Sequence, residues 1–225
     1  MNKQQKRNYQ DALIKICEDH KKNNHRPNIL IHACCAVCST VALDVLNQYM
    51  NVVVYFYNPN IHPQHEFRRR SDAQRDLIDK FNIEYNADIK FIEGKYIARE
   101  FFKKTLLLKD EKEGSGHRCG VCYGMRMEDA AIAAIELGSD YFCTTLTLSP
   151  MKNSSVINQQ GFDLEEQYDV YYLPSDFKKN GGMQRSKELT TLFDVYRQNY
   201  CGCIFGAKAK GVDLVKVVKD AKANK

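Results

Sequence analysis

The stretch "NILIHACCAVCSTVALDVLNQYMNVVVYFY", residues 28–57, predicts a strand, a helix and a second strand. Residues 28–33 form a short apolar run, which is typical of a buried strand. Residues 39–49 predict a helix that Ser39 can cap. Residues 51–57 combine β-branched and aromatic side chains and end at "NPN", so they predict the clearest strand of the chain.

Strands and helices continue to alternate to about residue 174. Further strands are predicted at 89–93, 140–147 and 169–174, and helices at 5–22, 64–82, 96–107, 119–138, 184–196 and 207–225, with Gly138 as a C-terminal cap. This alternation predicts an α/β fold with a mostly parallel sheet and right-handed crossovers. We expect one domain over residues 1–225, with a basic helix at its end.

Three polar segments follow predicted strands. "HACCAVCS" (32–39) follows the first strand, "YNPNI" (57–61) follows the second, and "TTLTLSP" (144–150) overlaps the end of the fourth. Ligands of such sheets bind in the crevice beyond the carboxyl ends of the strands. The three segments are therefore expected to line one site.

Composition argues against a membrane protein and leaves nucleic-acid binding open. Of the 225 residues, 44% are hydrophobic and 27% charged, which is ordinary for a soluble protein. The start of the chain is polar and basic, and the longest apolar runs are too short to span a membrane. We expect a cytoplasmic protein without a membrane partner. The net charge of +5 permits nucleic-acid binding but does not demonstrate it, since a lysine-rich end is usually a solvated face.

Nine cysteines in a reducing compartment point to metal or redox chemistry, because structural disulfides are rare there. Cys17 and Cys143 stand alone on apolar elements and are expected to be buried small hydrophobes. The other seven form three groups, which are Cys34, Cys35 and Cys38, then Cys119 and Cys122, then Cys201 and Cys203.

The first two groups suit a metal site. Cys34 and Cys35 can serve one site if the chain turns after the strand, and helical geometry can return Cys38 to the same side. "RCGVC" opens a helix, so Cys119 and Cys122 share one face, and the helix dipole there favours thiolates. Two thiolates from each segment fit zinc or an iron–sulfur cluster. The adjacent pair favours the cluster over zinc, and a purely stabilising metal is the alternative to a catalytic one.

The third group suits redox chemistry. A disulfide between Cys201 and Cys203 would be strained and easily reduced, so the two thiols favour a redox-active pair. The alternative is that they are two more ligands of the same metal. Among the histidines, His32 is expected to be a satisfied core residue. His62, His65 and His117 are able to carry protons, but no pattern assigns them a role.

The chain resembles the cobalamin-independent epoxyqueuosine reductase family. The motifs that carry the resemblance are "HACCAVCS", "VVVYFYNPNIHPQHEFRRR", "RCGVCYGMRMEDAA", "YFCTTLTLSPMKN", "LPSDFKKNGG" and "YRQNYCGCIF", in that order over about residues 28–205. The resemblance implies a three-layer α/β sandwich of the HUP or Rossmann-like kind. It also implies the last step of queuosine formation, in which the epoxide of epoxyqueuosine at the tRNA wobble position is reduced.

The same resemblance implies roles for particular cysteines. Cys34, Cys35, Cys119 and Cys122 would hold a 4Fe-4S cluster, and Cys201 and Cys203 would form a redox-active disulfide. Cys38 is expected within reach of the cluster, either as a ligand of an additional iron ion or as a thiol beside the ligands. The implied partners are tRNA bearing epoxyqueuosine and an electron donor that the sequence does not identify.

Candidate tRNA contacts come from basic and aromatic residues. The segments 67–70 and 176–182, Arg185 and the lysine tail are candidates for phosphate contacts, and Tyr57 and Tyr200 for stacking on a base. Two other functions stay open from the residues alone. One is a zinc-stabilised RNA-binding module, and the other is a thiol–disulfide oxidoreductase that uses Cys201 and Cys203.

Overall fold

Five parallel strands form one sheet in the part of the chain that the computed structural model describes, residues 8–114 and 116–223. The strands are β1 (Asn28–His32), β2 (Asn51–Phe56), β3 (Lys90–Glu93), β4 (Tyr141–Thr144) and β5 (Tyr171–Tyr172). They lie in the order β3-β2-β1-β4-β5, and every pair is parallel. This is the strand order of a doubly wound, Rossmann-like sheet.

The switch in strand order lies at β1. In register, Ile31 pairs with Val54 of β2 on one side and with Cys143 of β4 on the other. The chain builds outward to β3 on the first side and then returns to continue at β4. In such a sheet the ligand crevice opens at this point, beyond the carboxyl ends of the strands.

Helices cover both faces of the sheet. They are α1 (Tyr9–Lys22), α2 (Ala36–Leu46), α3 (Gln64–Tyr85), α4 (Ala98–Thr105), α5 (His117–Glu136), α6 (Ser154–Gln167), α7 (Gly182–Leu192), α8 (Ile204–Ala209) and α9 (Leu214–Ala223). Ile29 and Ile31 pack in a core with α1, α2, α3 and α7, whereas Leu30 packs in a second core with α5 and α6. This alternation puts successive side chains on opposite faces. It confirms the three-layer sandwich.

Several local predictions are confirmed. Cys17 and Cys143 are fully buried. His32 is buried as well, with Nδ1 beside the Thr144 hydroxyl at 2.9 Å and Nε2 beside the Tyr57 carbonyl at 3.1 Å. Gly138 follows α5 with φ +63°, the left-handed conformation expected of a helix cap. No helix in the described ranges is long and apolar enough to cross a membrane.

Other predictions are wrong. Ser39 does not cap α2, which begins three residues earlier at Ala36; its hydroxyl donates to Gln74 Oε1 instead. The predicted helix 207–225 is interrupted after α8, where Gly211 adopts φ +64°, and α9 begins at Leu214. The prediction for residues 5–7 and 224–225 lies outside the described residues.

Helix α6 was not predicted, and its close packing explains why. Gly161 lies in its interior, where glycine weakens a helix by roughly 1 kcal/mol relative to alanine. A Cβ at position 161 would overlap the ring of Tyr172 on β5. The glycine is therefore required by the approach of the helix to the sheet, which local propensity does not report.

We predict that Gly161→Ala destabilises the fold, because the new methyl group must displace the Tyr172 ring. Overpacking of this kind costs about 1–3 kcal/mol. Gly124→Ala on α5 is the matched control, since a Cβ there meets only the Gln160 side chain at 3.6 Å. Denaturant unfolding measures both variants. Equal stability of the two would contradict the packing argument.

Candidate metal and redox site

The sulfur atoms of Cys34, Cys35 and Cys38 converge beyond the end of β1. All three lie within 4.8 Å of one another, and the Cys34 and Cys35 sulfurs are 3.8 Å apart. Cys35 has extended backbone angles directly before α2, and Cys38 lies one turn into that helix. This turn brings the sulfur atoms of Cys34 and Cys35 to the same side of the chain, which is the condition for a shared site. A group of three thiols at this spacing can hold a metal ion.

Hydrogen bonds from other segments orient the sulfur atoms. The Cys34 backbone N–H donates to the Thr145 hydroxyl at 3.3 Å, and that hydroxyl lies 3.6 Å from the Cys34 sulfur. Gln198 Nε2 donates to the Cys35 sulfur at 2.9 Å. Donors that point at sulfur favour the thiolate form, which is the form that binds metals.

The three thiols share their protons unequally. Hydrogen bonds from Cys35 and Cys38 lower the pKa of Cys34 well below the usual value for a thiol. The hydrogen bond to Cys34 raises the pKa of Cys35 to about 12, and the pKa of Cys38 is raised for the same reason. One thiolate is therefore favoured in the group. A metal ion would have to displace the remaining protons, so its binding would release them.

The second cysteine group opens helix α5. Gly114 donates its backbone N–H to the Cys119 sulfur at 3.2 Å. Burial nevertheless raises the pKa of Cys119, and it raises the pKa of Cys122 to about 11. The expected preference for thiolates at the helix start is thus outweighed by burial. Both sulfurs lie outside the group of three described above, although Cys119 packs in the same core as Cys34.

The third cysteine group lies in the loop before α8. Cys201 is exposed, Cys203 is buried, and both are free thiols. Gly202 between them adopts φ +125°, a conformation that only glycine tolerates well. The Gly206 N–H donates to the Cys203 sulfur at 3.2 Å, but burial raises the pKa of Cys203 far above its ordinary value.

Arg70 fixes this loop against α3. Its Nη1 donates to the Cys201 carbonyl at 3.0 Å and its Nη2 to the Tyr200 carbonyl at 3.1 Å. Its Nε donates to Glu66 at 2.7 Å. Arg70 is only 2% exposed and protein groups already accept its hydrogen bonds, which argues against a phosphate contact at this residue. Its guanidinium holds the chain on which the third cysteine group lies.

The other arginines predicted to contact tRNA have partners within the protein. Arg68 pairs with Glu93 at 2.8 Å, and the Arg69 guanidinium stacks 3.8 Å from the centre of the Tyr196 ring. Arg185 binds Asp44 through two contacts of 2.8 Å. Within segment 67–70 only Arg68 and Arg69 are exposed, so for these two the phosphate contact stays a prediction.

A cavity of about 240 Å³ joins the first and third cysteine groups. It opens at the switch point of the sheet. The side chains that contribute its chemistry are Cys34, Cys35, Cys38, Cys201, Tyr123, Tyr200, Gln198, Arg70, Arg126, Lys152 and Glu113. Two of the three predicted rim segments, 32–39 and 144–150, line this cavity, and segment 57–61 does not. Tyr200 also lines it, and its role in stacking stays a prediction. Tyr57 is buried beside Tyr55 instead.

Sequence reasoning missed several of these side chains. Arg126, Lys152 and Gln198 lie within motifs that carry the family resemblance, but no pattern in those motifs assigned them a role. The one available signal is the spacing of Arg126, which lies four residues after Cys122 and so on the same face of α5.

A doubly wound α/β protein with thiols converging in a cavity at its switch point belongs to the class of metal-binding or redox enzymes. The family model for "Epoxyqueuosine reductase QueH" matches residues 29–209. The chain therefore belongs to the QueH family of epoxyqueuosine reductases, which are oxidoreductases. This confirms the resemblance carried by the motifs.

Individual relatives agree with the family model. Epoxyqueuosine reductase QueH of Streptococcus pyogenes is 45% identical, with 99% of this chain and 87% of the relative covered. QueH of Staphylococcus epidermidis is 46% identical over 98% of this chain and 93% of the relative. Among solved structures, NMN synthetase from Francisella tularensis has a TM-score of 0.45 and 13% identity over 96% of this chain and 85% of that chain.

We predict that Cys34→Ala abolishes metal binding, because it removes the thiol with the lowest pKa in the three-thiol group. Cys143→Ala is the matched control, since Cys143 is equally buried but lies inside β4. It should lose stability and keep its metal. Metal analysis of protein purified under anaerobic conditions checks both variants. Full metal content in the Cys34 variant would contradict the assignment.

Proposed function

We propose that this protein reduces epoxyqueuosine to queuosine at the wobble position of tRNA, the last step of queuosine biosynthesis. The observation that carries the proposal is the cavity in which thiols of two cysteine groups meet at the switch point of the sheet. Membership of the epoxyqueuosine reductase family supports the substrate. A cavity lined by thiols and cations suits a reduction that also consumes protons.

The reaction requires a balanced supply of electrons and protons. An epoxide, two electrons and two protons give an alkene and water. Oxidation of Cys201 and Cys203 from two thiols to a disulfide releases two electrons and two protons. The pair therefore matches the reaction in stoichiometry, and an external electron donor would have to reduce it again.

The proposed cofactor is a 4Fe-4S cluster held by Cys34, Cys35, Cys119 and Cys122. The donor set fits, since four thiols from two segments are the usual ligands of such a cluster. When bound, the cluster supplies electrons one at a time. The raised pKa values of Cys35 and Cys122 are consistent with thiols that lose their protons only to a metal. Cys38 is proposed as a ligand of an additional iron ion.

The proposed substrate must enter as an extruded nucleoside. Enzymes that act on a base take it out of the stack and hold it in a pocket between aromatic and polar groups. Tyr200 and Tyr123 are the aromatic side chains of the cavity. Lys210 lines the cavity and is exposed, so it is a better candidate for a phosphate contact than Arg70.

We predict that anaerobically reconstituted protein converts epoxyqueuosine-bearing tRNA when a low-potential reductant is present. Cys119→Ala should lose both the cluster and turnover. Mass spectrometry of the digested tRNA and iron and sulfide analysis provide the two measurements. Failure of intact protein to convert the substrate would contradict the proposal.

The same experiment separates the other two functions. Colourless protein that holds one zinc ion and binds RNA without turnover would indicate a zinc-stabilised RNA-binding module. A Cys119→Ala variant that retains full activity would indicate a thiol–disulfide oxidoreductase that uses Cys201 and Cys203 alone.

A further inference from the structure

Helix α5 carries two buried arginines whose hydrogen bonds differ. Arg118 and Arg126 are both 2% exposed. Arg118 donates through Nη1 to the carbonyls of Leu108, Lys109 and Glu111, and its Nη2 lies 3.3 Å from Glu113. Arg126 donates through Nε to the Cys122 carbonyl at 3.0 Å, but its Nη2 has no partner among the described residues.

An unpartnered donor on a buried cation is costly. Buried polar groups almost always have a hydrogen-bond partner. The free-energy cost of leaving a buried donor without a partner is largest when the donor belongs to a charged side chain. Arg118 shows that both terminal nitrogens of a buried guanidinium on α5 are able to find partners within the protein. The free Nη2 of Arg126 therefore points to a ligand that is not part of the protein.

The guanidinium of Arg126 is held rigidly. Its Nη1 donates to Asn58 Oδ1 at 3.2 Å, and Asn58 Nδ2 donates to the Ala33 carbonyl at 2.8 Å. Asn58 is itself 1% exposed. Arg126 is thus tied through Asn58 to the residue that precedes Cys34, and through its Nε to the carbonyl of Cys122.

Arg126 also lines the cavity that contains Cys34 and Cys201. A guanidinium is not deprotonated in proteins, so Arg126 stays charged in a site from which water is largely excluded, since it is only 2% exposed. There its electrostatic effect is much larger than at the protein surface.

The other cations of the cavity are less suited to bind a ligand at a fixed point. All three kinds of donor on Arg70 already bind Glu66 and the carbonyls of residues 200 and 201. Lys152 is partly exposed and Lys210 is exposed, so solvent reaches both. Arg126 alone among these four combines a buried, fixed charge with a donor that the described protein groups leave free.

We infer that Arg126 is a catalytic residue that donates a hydrogen bond from Nη2 to the epoxide oxygen of the substrate. This inference rests on the proposed function. As the carbon–oxygen bonds break, the oxygen gains negative charge, and the oxygen finally leaves as water after it takes two protons. Arg126 keeps its own proton, because a guanidinium is not deprotonated in proteins. Its role is to stabilise the developing charge, as the donors of an oxyanion hole do.

The first test measures binding without turnover. Reconstituted enzyme whose Cys201 and Cys203 have first been oxidised to the disulfide is titrated, without a reductant, with tRNA that carries epoxyqueuosine and with tRNA that carries the product, which lacks the oxygen. The wild-type enzyme should prefer the epoxide. Arg126→Gln should lose that preference by about tenfold, the usual worth of a hydrogen bond to a charged group. Its affinity for the product should be unchanged.

The second test measures turnover of the same variants. Arg126→Gln and Arg126→Ala should lower kcat by about 10²–10³-fold, as the loss of one oxyanion donor does, with little change in KM. Added guanidinium should partly restore the Ala variant, and Arg126→Lys should fall between Gln and the wild type. Arg26→Gln is the matched control, because its guanidinium binds Asn51 and the Asn47 carbonyl near the start of β1, at the end of the sheet opposite to the cavity.

The outcomes separate this inference from the proposed function. If the wild-type enzyme converts no substrate, the proposed function is wrong. If the wild type converts substrate and Arg126→Gln keeps both its preference for the epoxide and its kcat, the role of Arg126 is wrong. Iron content and melting temperature are measured for each variant. One further outcome would overturn the role of Arg126. In that outcome the variants lose turnover only in proportion to their loss of iron, guanidinium does not restore the Ala variant, and the preference for the epoxide is unaltered.

Discussion

Strand β1 is paired on both edges, and the way it ends determines the site. Its last ladder bond runs from the Ala33 N–H to the Tyr55 carbonyl at 2.9 Å. Beyond it, the Cys34 N–H has no strand to bond and uses the Thr145 hydroxyl. The Ala33 carbonyl accepts from Asn58. Buried backbone groups must find partners, so the segments after β2 and β4 are drawn to the end of β1.

This constraint also explains why adjacent cysteines reach one site. In a strand, Cys34 and Cys35 would point to opposite faces of the sheet. Because the ladder ends at Ala33, the chain can turn there and enter α2 at Ala36. A ladder longer by one residue would separate the two sulfurs. The position of a backbone hydrogen bond therefore decides whether the thiols form one group.

Sequence periodicity predicted the central elements well, because β1 and β2 are continuous apolar runs and α3 and α5 are long. It failed where tertiary packing decides the structure. Gly161 is tolerated within α6 because Tyr172 leaves no room for a side chain. Gly211 separates two basic segments that composition alone would join into one helix. The cysteine groups could be found from spacing. The cations that lie near these thiols could not be found from spacing, because a residue such as Arg126 is distinguished only by its burial and its unpartnered hydrogen-bond donor.

The arrangement of charge in the cavity links metal binding to the cations. Burial raises the pKa of Cys119 and Cys122, so the fold by itself does not favour several thiolates. Several thiolates in one place require positive charge close by, because isolated buried anions are costly. A bound metal supplies part of that charge, and Arg126 and Lys152 supply more from the cavity wall. The lysine is partly solvated, whereas the buried arginine is held in place by Asn58. The positive charge of Arg126 therefore has two effects. It stabilises thiolates in the cavity, and it is able to stabilise an oxygen atom that becomes negative beside it.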